Sequence, residues 1–392
     1  MKTGTSGRGL REIPFGRPWI TDEDRAAVLE VLQGPILTHG PQGKAFEQEF
    51  ADALGPGAHA VAVSSCMAAL HLAYVQLGIG KGDEVVVPAQ THTATVHAVE
   101  LVGATPVFVD CDPRTGNLTA DRIAAAITDR TRAIGVVHFL GIPCSMPGIM
   151  DLAQKRGLKV IEDCALALGT RHQGRHVGLF GDAGCFSFYP VKHLTTGEGG
   201  MLATRHASIA KAVSLKRGFG VDRSLGDPAL PGTYDVPELG FNYRMSELQA
   251  ALGRSQLRRL ETNLGRRKAN FEILKTILSG RRGLVVLDAT GEDDQSSHYC
   301  LVVVLKDGST ADRNALVAKL NRAGVGTSIY YPHPVPRLKY YREKYGTPAD
   351  RYAQASRISD LGIALPCGPH LEADDAAYVA ESLLKSLDEV HA

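Results

Sequence analysis

One stretch of the chain concentrates residue types suited to covalent chemistry: Cys185-Phe-Ser-Phe-Tyr-Pro-Val-Lys192-His-Leu-Thr-Thr-Gly-Glu-Gly-Gly200. It reads as a strand that leads to a lysine and a glycine-rich loop. Phe186, Phe188, Tyr189 and Val191 are expected to hold Lys192 beside apolar surface, and desolvation lowers the pKa of an amine. A neutral amine can form a Schiff base with an aldehyde, which is what anchoring pyridoxal 5'-phosphate requires. That cofactor also needs a carboxylate on its pyridine nitrogen, because the protonated ring draws electrons from the substrate carbon. Asp163 is the candidate, at the end of the run Lys159-Val-Ile-Glu-Asp163. A phosphate is best held by a helix N-terminus with free backbone N–H groups. The strand, polar turn and helix start of Val63-Ser-Ser65-Cys66-Met67-Ala68 offer one, and Ser187 adds a hydroxyl on the strand before the lysine.

These residues must be positioned by the elements around them. Strand candidates are His59 to Val63, Glu84 to Val87, Pro106 to Asp110, Ala133 to His138, Lys159 to Asp163, Gly184 to Phe188 and Gly200 to Thr204. Helical patterns separate many of them, over Ala68 to Leu77, Thr93 to Val102, Thr119 to Ile127 and Ile149 to Lys155. This alternation predicts an α/β fold with a mostly parallel sheet covered on both faces. It would place Asp163 and Lys192 at carboxyl ends of strands, where such sheets bind ligands. Upstream, Thr21 followed by Asp24 reads as a capped helix start, with Val28, Leu29, Val31 and Leu32 as its apolar face. Apolar spacing from Ser246 to Leu278 predicts one long helix linking two domains. After it, a strand over Tyr299 to Leu305, a helix over Ala311 to Ala323 and a strand over Gly326 to Tyr331 make a small α+β domain. The division expected is a large cofactor-binding domain with an N-terminal arm over 1–255 and a small C-terminal domain over 256–392.

Composition narrows the classes. With 44% hydrophobic and 22% charged residues in 392, the chain can build ordinary cores, which excludes disorder and fibre. Lysine plus arginine is 43 and aspartate plus glutamate 42, so no net field attracts a polyanion, and neither nucleic acid nor a membrane is an expected partner. No apolar run reaches the roughly 18 residues of a membrane helix, and the start lacks the hydrophobic segment of a secretory signal. A cytoplasmic location is the expectation. Seven cysteines, an odd number without a Cys-x-x-Cys pair, argue against a disulfide framework and a zinc site, and no metal is expected.

Over nearly its whole length the chain resembles the DegT/DnrJ/StrS sugar aminotransferases of the aspartate aminotransferase fold. The resemblance is carried most specifically by Lys192-His-Leu-Thr-Thr-Gly-Glu-Gly-Gly200 and Asn242-Tyr-Arg-Met245. Support comes from Thr38-His-Gly-Pro41, Ser64 to Leu72, Pro88 to Thr95, Val137-His-Phe-Leu-Gly141, Glu162-Asp-Cys-Ala-Leu-Ala-Leu-Gly169 and Gly240 to Glu247. It implies the fold type I architecture of pyridoxal-phosphate enzymes, with the cofactor alternating between its pyridoxal and pyridoxamine forms. It implies Lys192 as the Schiff-base lysine, Asp163 as the partner of the pyridine nitrogen, and Ser187 as a phosphate ligand. His92 matches the aromatic that stacks on the cofactor ring, and Asn242 an asparagine that reaches the phosphate from the other subunit of a homodimer with shared sites. Arg217 matches a position that could bind the donor carboxylate, while Tyr331 and His333 belong to a substrate-side motif. Three departures stand out: Cys66-Met67 where a small residue and a hydroxyl residue are usual, Leu166 where glutamine or histidine is frequent, and Pro336 in place of a histidine.

The activity implied is transfer of an amino group from an amino acid, L-glutamate by expectation, to a nucleotide-linked keto sugar in amino-sugar biosynthesis. Alternatives are a free-sugar or cyclitol aminotransferase, a sugar dehydratase of the same fold, and a non-enzymatic sugar-binding regulator. The dehydratases carry histidine where this chain has Lys192, and His193 one place later is no replacement. A regulator would bring a DNA-binding module, for which the near-neutral charge gives no support.

Overall fold

Val85, Val86 and Val87 are buried on both faces of their strand, the pattern of a parallel strand covered by helices on two sides. The computed structural model describes residues 11–227, 229–289, 291–348 and 350–390, so the first ten residues of the expected N-terminal arm lie outside the described residues. In chain order the strands are β1 (His59–Val63), β2 (Glu84–Pro88), β3 (Thr105–Val109), β4 (Thr131–Val137) and β5 (Lys159–Asp163). A two-residue ribbon of β6 (Arg171–His172) and β7 (Arg175–His176) precedes β8 (Ala183–Ser187) and β9 (Gly200–Thr204). The longer seven form one sheet in the order β1-β9-β8-β5-β4-β2-β3. β2, β3, β4, β5 and β8 pair in parallel, and β9 runs antiparallel to both β1 and β8. Six strands therefore share one direction.

Alternation along each strand splits the apolar side chains between two faces. Val61, Val63, Val85, Val87, Ile161 and Leu202 join one core, and Ala62, Val86, Ile134, Val160, Phe186 and Met201 the other. Helix Pro41–Leu54 closes the second face with Phe46 and Phe50, whose rings meet those of Phe186 and Phe188 at 5.2 to 5.6 Å.

The C-terminal part of the chain holds β10 (Leu284–Leu287), β11 (Asp294–Gln295), β12 (Leu301–Leu305) and β13 (Gly362–Leu365). β10, β12 and β13 make an antiparallel sheet in that order, while β11 reaches back to pair with β6. Helices Leu260–Leu278, Thr310–Arg322 and Ala373–Val390 pack around it.

Three expectations are corrected. The long helix predicted from Ser246 is two helices, Glu247–Leu257 and Leu260–Leu278. At the break Arg259 leaves the helical path to pair with Asp24 and donate to the Trp19 carbonyl, so each segment packs on a different layer. The strand expected over Gly326 to Tyr331 does not form; Ser328 makes only an isolated bridge to Ala364. Gln90 Nε2 claims the Tyr330 carbonyl at 2.7 Å, Pro332 and Pro334 have no N–H to offer, and β13 takes the sheet edge. Finally, the apolar face of helix Asp22–Gln33 is only partly covered: Val31 is buried, but Leu29 and Leu32 are 55% and 56% exposed.

Candidate active site

Strands of common direction bring their carboxyl ends to one edge of the sheet, and there a cavity of about 560 Å³ opens. Ser65, Cys66 and Met67 line it from beyond β1, Thr91 and His92 from beyond β2, Asp163 from the end of β5, and Ser187 and Lys192 from the end of β8 and beyond. Tyr299, Tyr330 and Tyr331 close it from the C-terminal part of the chain. The cavity thus gathers eight of the residues singled out by sequence and leaves out Asn242, Arg217 and His333.

Lys192 is half-buried, and loss of water pushes its amine down to about 8. The apolar surface responsible differs in part from that expected. Phe186 and Phe188 are buried, but Tyr189 is 49% exposed because the strand ends at Ser187 and alternation stops there. Tyr299 supplies the surface instead, with Lys192 Nζ 5.0 Å from its ring centre. Asp163 is buried; Thr95 Oγ1 donates to its Oδ2 at 2.7 Å and the Ala165 N–H to its Oδ1 at 3.0 Å. Thr91 Oγ1 lies 2.8 Å from Thr95 Oγ1, so two threonines and a backbone amide fix the carboxylate. Cys66 Sγ sits 3.9 Å from Asp163 Oδ1, and burial pushes this thiol well up, which keeps it neutral.

The turn after β1 presents free backbone donors. Ser65 Oγ accepts from the Ala68 N–H at 3.1 Å and so caps helix Cys66–Gln76. Cys66 and Met67 occupy the first turn, where backbone N–H groups have no partner inside the helix. Main-chain donors are therefore available where Cys66 and Met67 offer no side-chain hydroxyl. Gly200 lies directly beneath: a Cβ there would come within 2.4 Å of the Ser65 carbonyl carbon and 2.5 Å of Cys66 N. Ser187 stands on the same wall, its Oγ 3.4 Å from the Tyr189 N–H. A weakened amine, a fixed carboxylate and a free helix start in one cavity fit pyridoxal phosphate.

His92 has two roles in one residue. Its Nδ1 accepts from the Ala94 N–H at 3.1 Å and caps helix Thr93–Leu101, while its ring meets Tyr331 edge-on at 5.5 Å. Burial lowers its pKa, so the neutral ring carries its proton on Nε2. Leu166 also lines the cavity and brings it no polar atom.

The remaining three lie elsewhere. Arg217 pairs with Glu47 and donates to the Ala62 carbonyl; it lines a second cavity, of about 640 Å³, with His39, Arg223 and Arg244. Asn242 is exposed and accepts from Arg244 Nε at 3.1 Å. His333 is exposed two residues past Tyr331. Sequence reading passed over Thr91, Thr95 and Tyr299. The Thr91-x-x-x-Thr95 spacing at a helix start was the available signal for the first two, whereas Tyr299 arrives from a distant element that no local pattern announces.

Beside Asp163, Glu162 is fully buried and accepts from the backbone N–H groups of Gly178, Phe180 and Gly181 at 2.7 to 2.9 Å. His138 Nε2 completes the set at 2.9 Å, and these donors outweigh burial to hold the Glu162 carboxyl below its ordinary range. With Cys164 the pair lies within ligand distance of a metal, but the Cys144 N–H occupies His138 Nδ1 and the network reads as a brace for β5.

Comparison with known proteins agrees with this geometry. The profile of the DegT/DnrJ/EryC1/StrS aminotransferase family matches residues 18–384. The spore coat polysaccharide biosynthesis protein SpsC of Bacillus subtilis is 36% identical over 375 residues, covering 95% of this chain and 96% of its own. A putative sugar aminotransferase, Spr1654 of Streptococcus pneumoniae, solved with PLP, superposes with a TM-score of 0.90 at 28% identity, covering 97% of this chain and all of that one. Helicobacter pylori PseC, an aminotransferase involved in the biosynthesis of pseudoaminic acid, gives a TM-score of 0.90 at 26% identity over the same shares. The fold is that of type I pyridoxal-phosphate enzymes, and the chain belongs to the DegT/DnrJ/EryC1/StrS aminotransferase family.

Proposed function

We propose that this aminotransferase moves an amino group from L-glutamate to a keto carbon of a nucleotide-linked sugar, in the cytoplasm, as a homodimer with shared active sites. The observation that carries the reading is the meeting of Lys192 and Asp163 in one cavity. The bound cofactor supplies the electron sink for breaking bonds at the substrate carbon. Asp163, fixed by Thr95 and Ala165, would hold a proton on the ring nitrogen by its charge. Lys192 would anchor the cofactor through Nζ and, once freed by the amino donor, its amine would hold and deliver the proton that moves to or from the substrate carbon. The turn at Ser65 to Met67 and Ser187 would hold the phosphate, and His92 would lie against the ring.

The other features support the finer points. Asn242 and Arg217 sit outside the Lys192 cavity, as residues meant for a partner's site would, and Leu29 and Leu32, on a helix that packs against Glu247–Leu257, leave apolar area uncovered. Seven buried free thiols suit a reducing compartment. His193, the histidine nearest the dehydratase position, is buried with Nε2 on the Ser297 carbonyl, which favours transamination.

The test is a panel of keto sugars, nucleotide-linked, free and cyclitol, each assayed with glutamate and with glutamine. Amino-sugar formation with release of 2-oxoglutarate from a nucleotide-linked substrate is the expected result. Turnover confined to free sugars or cyclitols, or to glutamine, would overturn the corresponding part.

A further inference from the structure

A cation without a counter-charge lies deep beside the cavity. Arg267, on helix Leu260–Leu278, is only 5% exposed. Its Nε donates to Asn263 Oδ1 at 3.0 Å and its Nη1 to the Tyr299 carbonyl at 2.9 Å. Among the described residues no carboxylate pairs with it; the acidic groups nearest it are Cys367, Tyr299, Cys300 and Tyr330, which burial keeps neutral, and burial also pushes the histidines that feel its charge, His193, His298 and His370, toward their neutral form. Burying an arginine with only neutral partners is costly, and buried arginines are ordinarily paired.

The location gives the cost a purpose. The Arg267 guanidinium carbon lies 5.9 Å from the Tyr299 ring centre, the same ring that Lys192 Nζ approaches to 5.0 Å. Asn263, which receives Arg267, donates its Nδ2 to the carbonyl of His193 at 2.6 Å, one residue after the lysine. We propose that Arg267 is an electrostatic positioning residue for Lys192: its unpaired charge opposes a second positive charge at Nζ and keeps the amine available to an aldehyde. The inference rests on Lys192 being the anchoring amine.

The groups around Nζ leave few competitors. Cys66 and Cys300 lie close, but burial pushes both thiols well up and neither is charged while the amine titrates. His92 and His193 are held neutral by burial, and Glu198, on the cavity rim, is exposed. Asp163 favours the protonated amine; desolvation and Arg267 oppose it.

The experiment measures the amine itself. Trace acetylation of the full-length apoprotein with acetic anhydride across a pH series, read at Lys192 by peptide mass spectrometry, reports its proton affinity without cofactor or turnover. Arg267→Met should raise that affinity about tenfold, and Arg267→Lys, which keeps the charge, should stay within about twofold of wild type. A role in packing alone would move both variants alike and would overturn the proposal. Arg267→Gln, a donor without charge, replaces the methionine variant if thermal melting shows the latter unfolded. An unshifted Lys192 profile in a folded neutral variant refutes the idea. A chloride titration that moves wild type toward the methionine profile would support it, since an anion pairing the guanidinium cancels the same charge. Borohydride fixation of the cofactor on a different lysine would overturn the anchoring role while leaving the measured shift intact, so the two readings fail separately.

Discussion

At about 8, the Lys192 amine is free base in roughly a tenth of molecules at pH 7, some 300-fold more than an amine at the ordinary 10.5 would offer. Uptake of pyridoxal phosphate by the apoprotein should therefore quicken about tenfold per pH unit below 8 and level off above it, as stopped-flow absorbance can record. A pH-independent rate would contradict this. The linkage to stability has a definite sign. Because the folded pKa is depressed, the unfolded chain binds more protons between pH 8 and 10.5, so this group makes the apoprotein more stable as pH rises through that window. In the proposed mechanism Asp163 acts through charge, and Asp163→Asn keeps shape while losing it. Turnover should fall by more than about tenfold, or roughly 1.4 kcal/mol of barrier, with the melting temperature little changed. A smaller loss would remove Asp163 from the ring nitrogen.

Among the elements, the close approach of β9 to the turn after β1 makes Gly200 the sharpest test. A methyl group there would press on backbone atoms of Ser65 and Cys66, which cannot rotate away. Gly200→Ala should weaken cofactor binding at least about tenfold in an absorbance titration and cost about 1 to 3 kcal/mol in a denaturant melt. Unchanged affinity would mean that the turn does not hold the phosphate. The same scale explains what was legible in the sequence. The seven main strands are short β-branched or apolar runs, and their mostly parallel direction followed from alternation with helices. β13 was missed because Gly362–Leu365 continues the apolar rhythm of helix Ala353–Leu361 with no turn residue before it except Gly362 itself. Lys192 and Asp163 were readable because their signals are local. Thr95, Tyr299 and Arg267 matter only once helices and strands far apart in sequence converge on one cavity, and nothing in their neighbours says so.

For the molecule as a whole, the shared-site proposal turns on surfaces that one chain leaves uncovered. Leu29, Leu32, Ile36 and Leu37 are each about half exposed or more, and burying a leucine contributes about 1.5 to 3 kcal/mol. The double variant Leu29→Glu with Leu32→Glu should sediment as a monomer in analytical ultracentrifugation; an unaltered dimer would place the interface elsewhere. Complementation tests the sites directly. Lys192→Ala and Asn242→Asp should each be nearly inactive as homodimers, yet subunits reassembled at equal ratio should recover about a quarter of wild-type activity, because half the dimers carry one intact site. Failure to recover activity, with hybrids verified by mass spectrometry, would place both residues in the same subunit's site.

The one strand that runs against the rest, β9, sets Gly200 level with Val63 of β1 on one side and Ser187 of β8 on the other. Threading it one residue out of place would bring Met201 under the Ser65–Cys66 turn and send every side chain of the strand to the wrong face. If that turn holds the cofactor phosphate, as proposed, chains assembled that way should stay colourless. The yellow absorbance per mole of protein then serves as a census of correctly threaded molecules, and a spectrophotometer is enough to grade a refolding yield or a production batch.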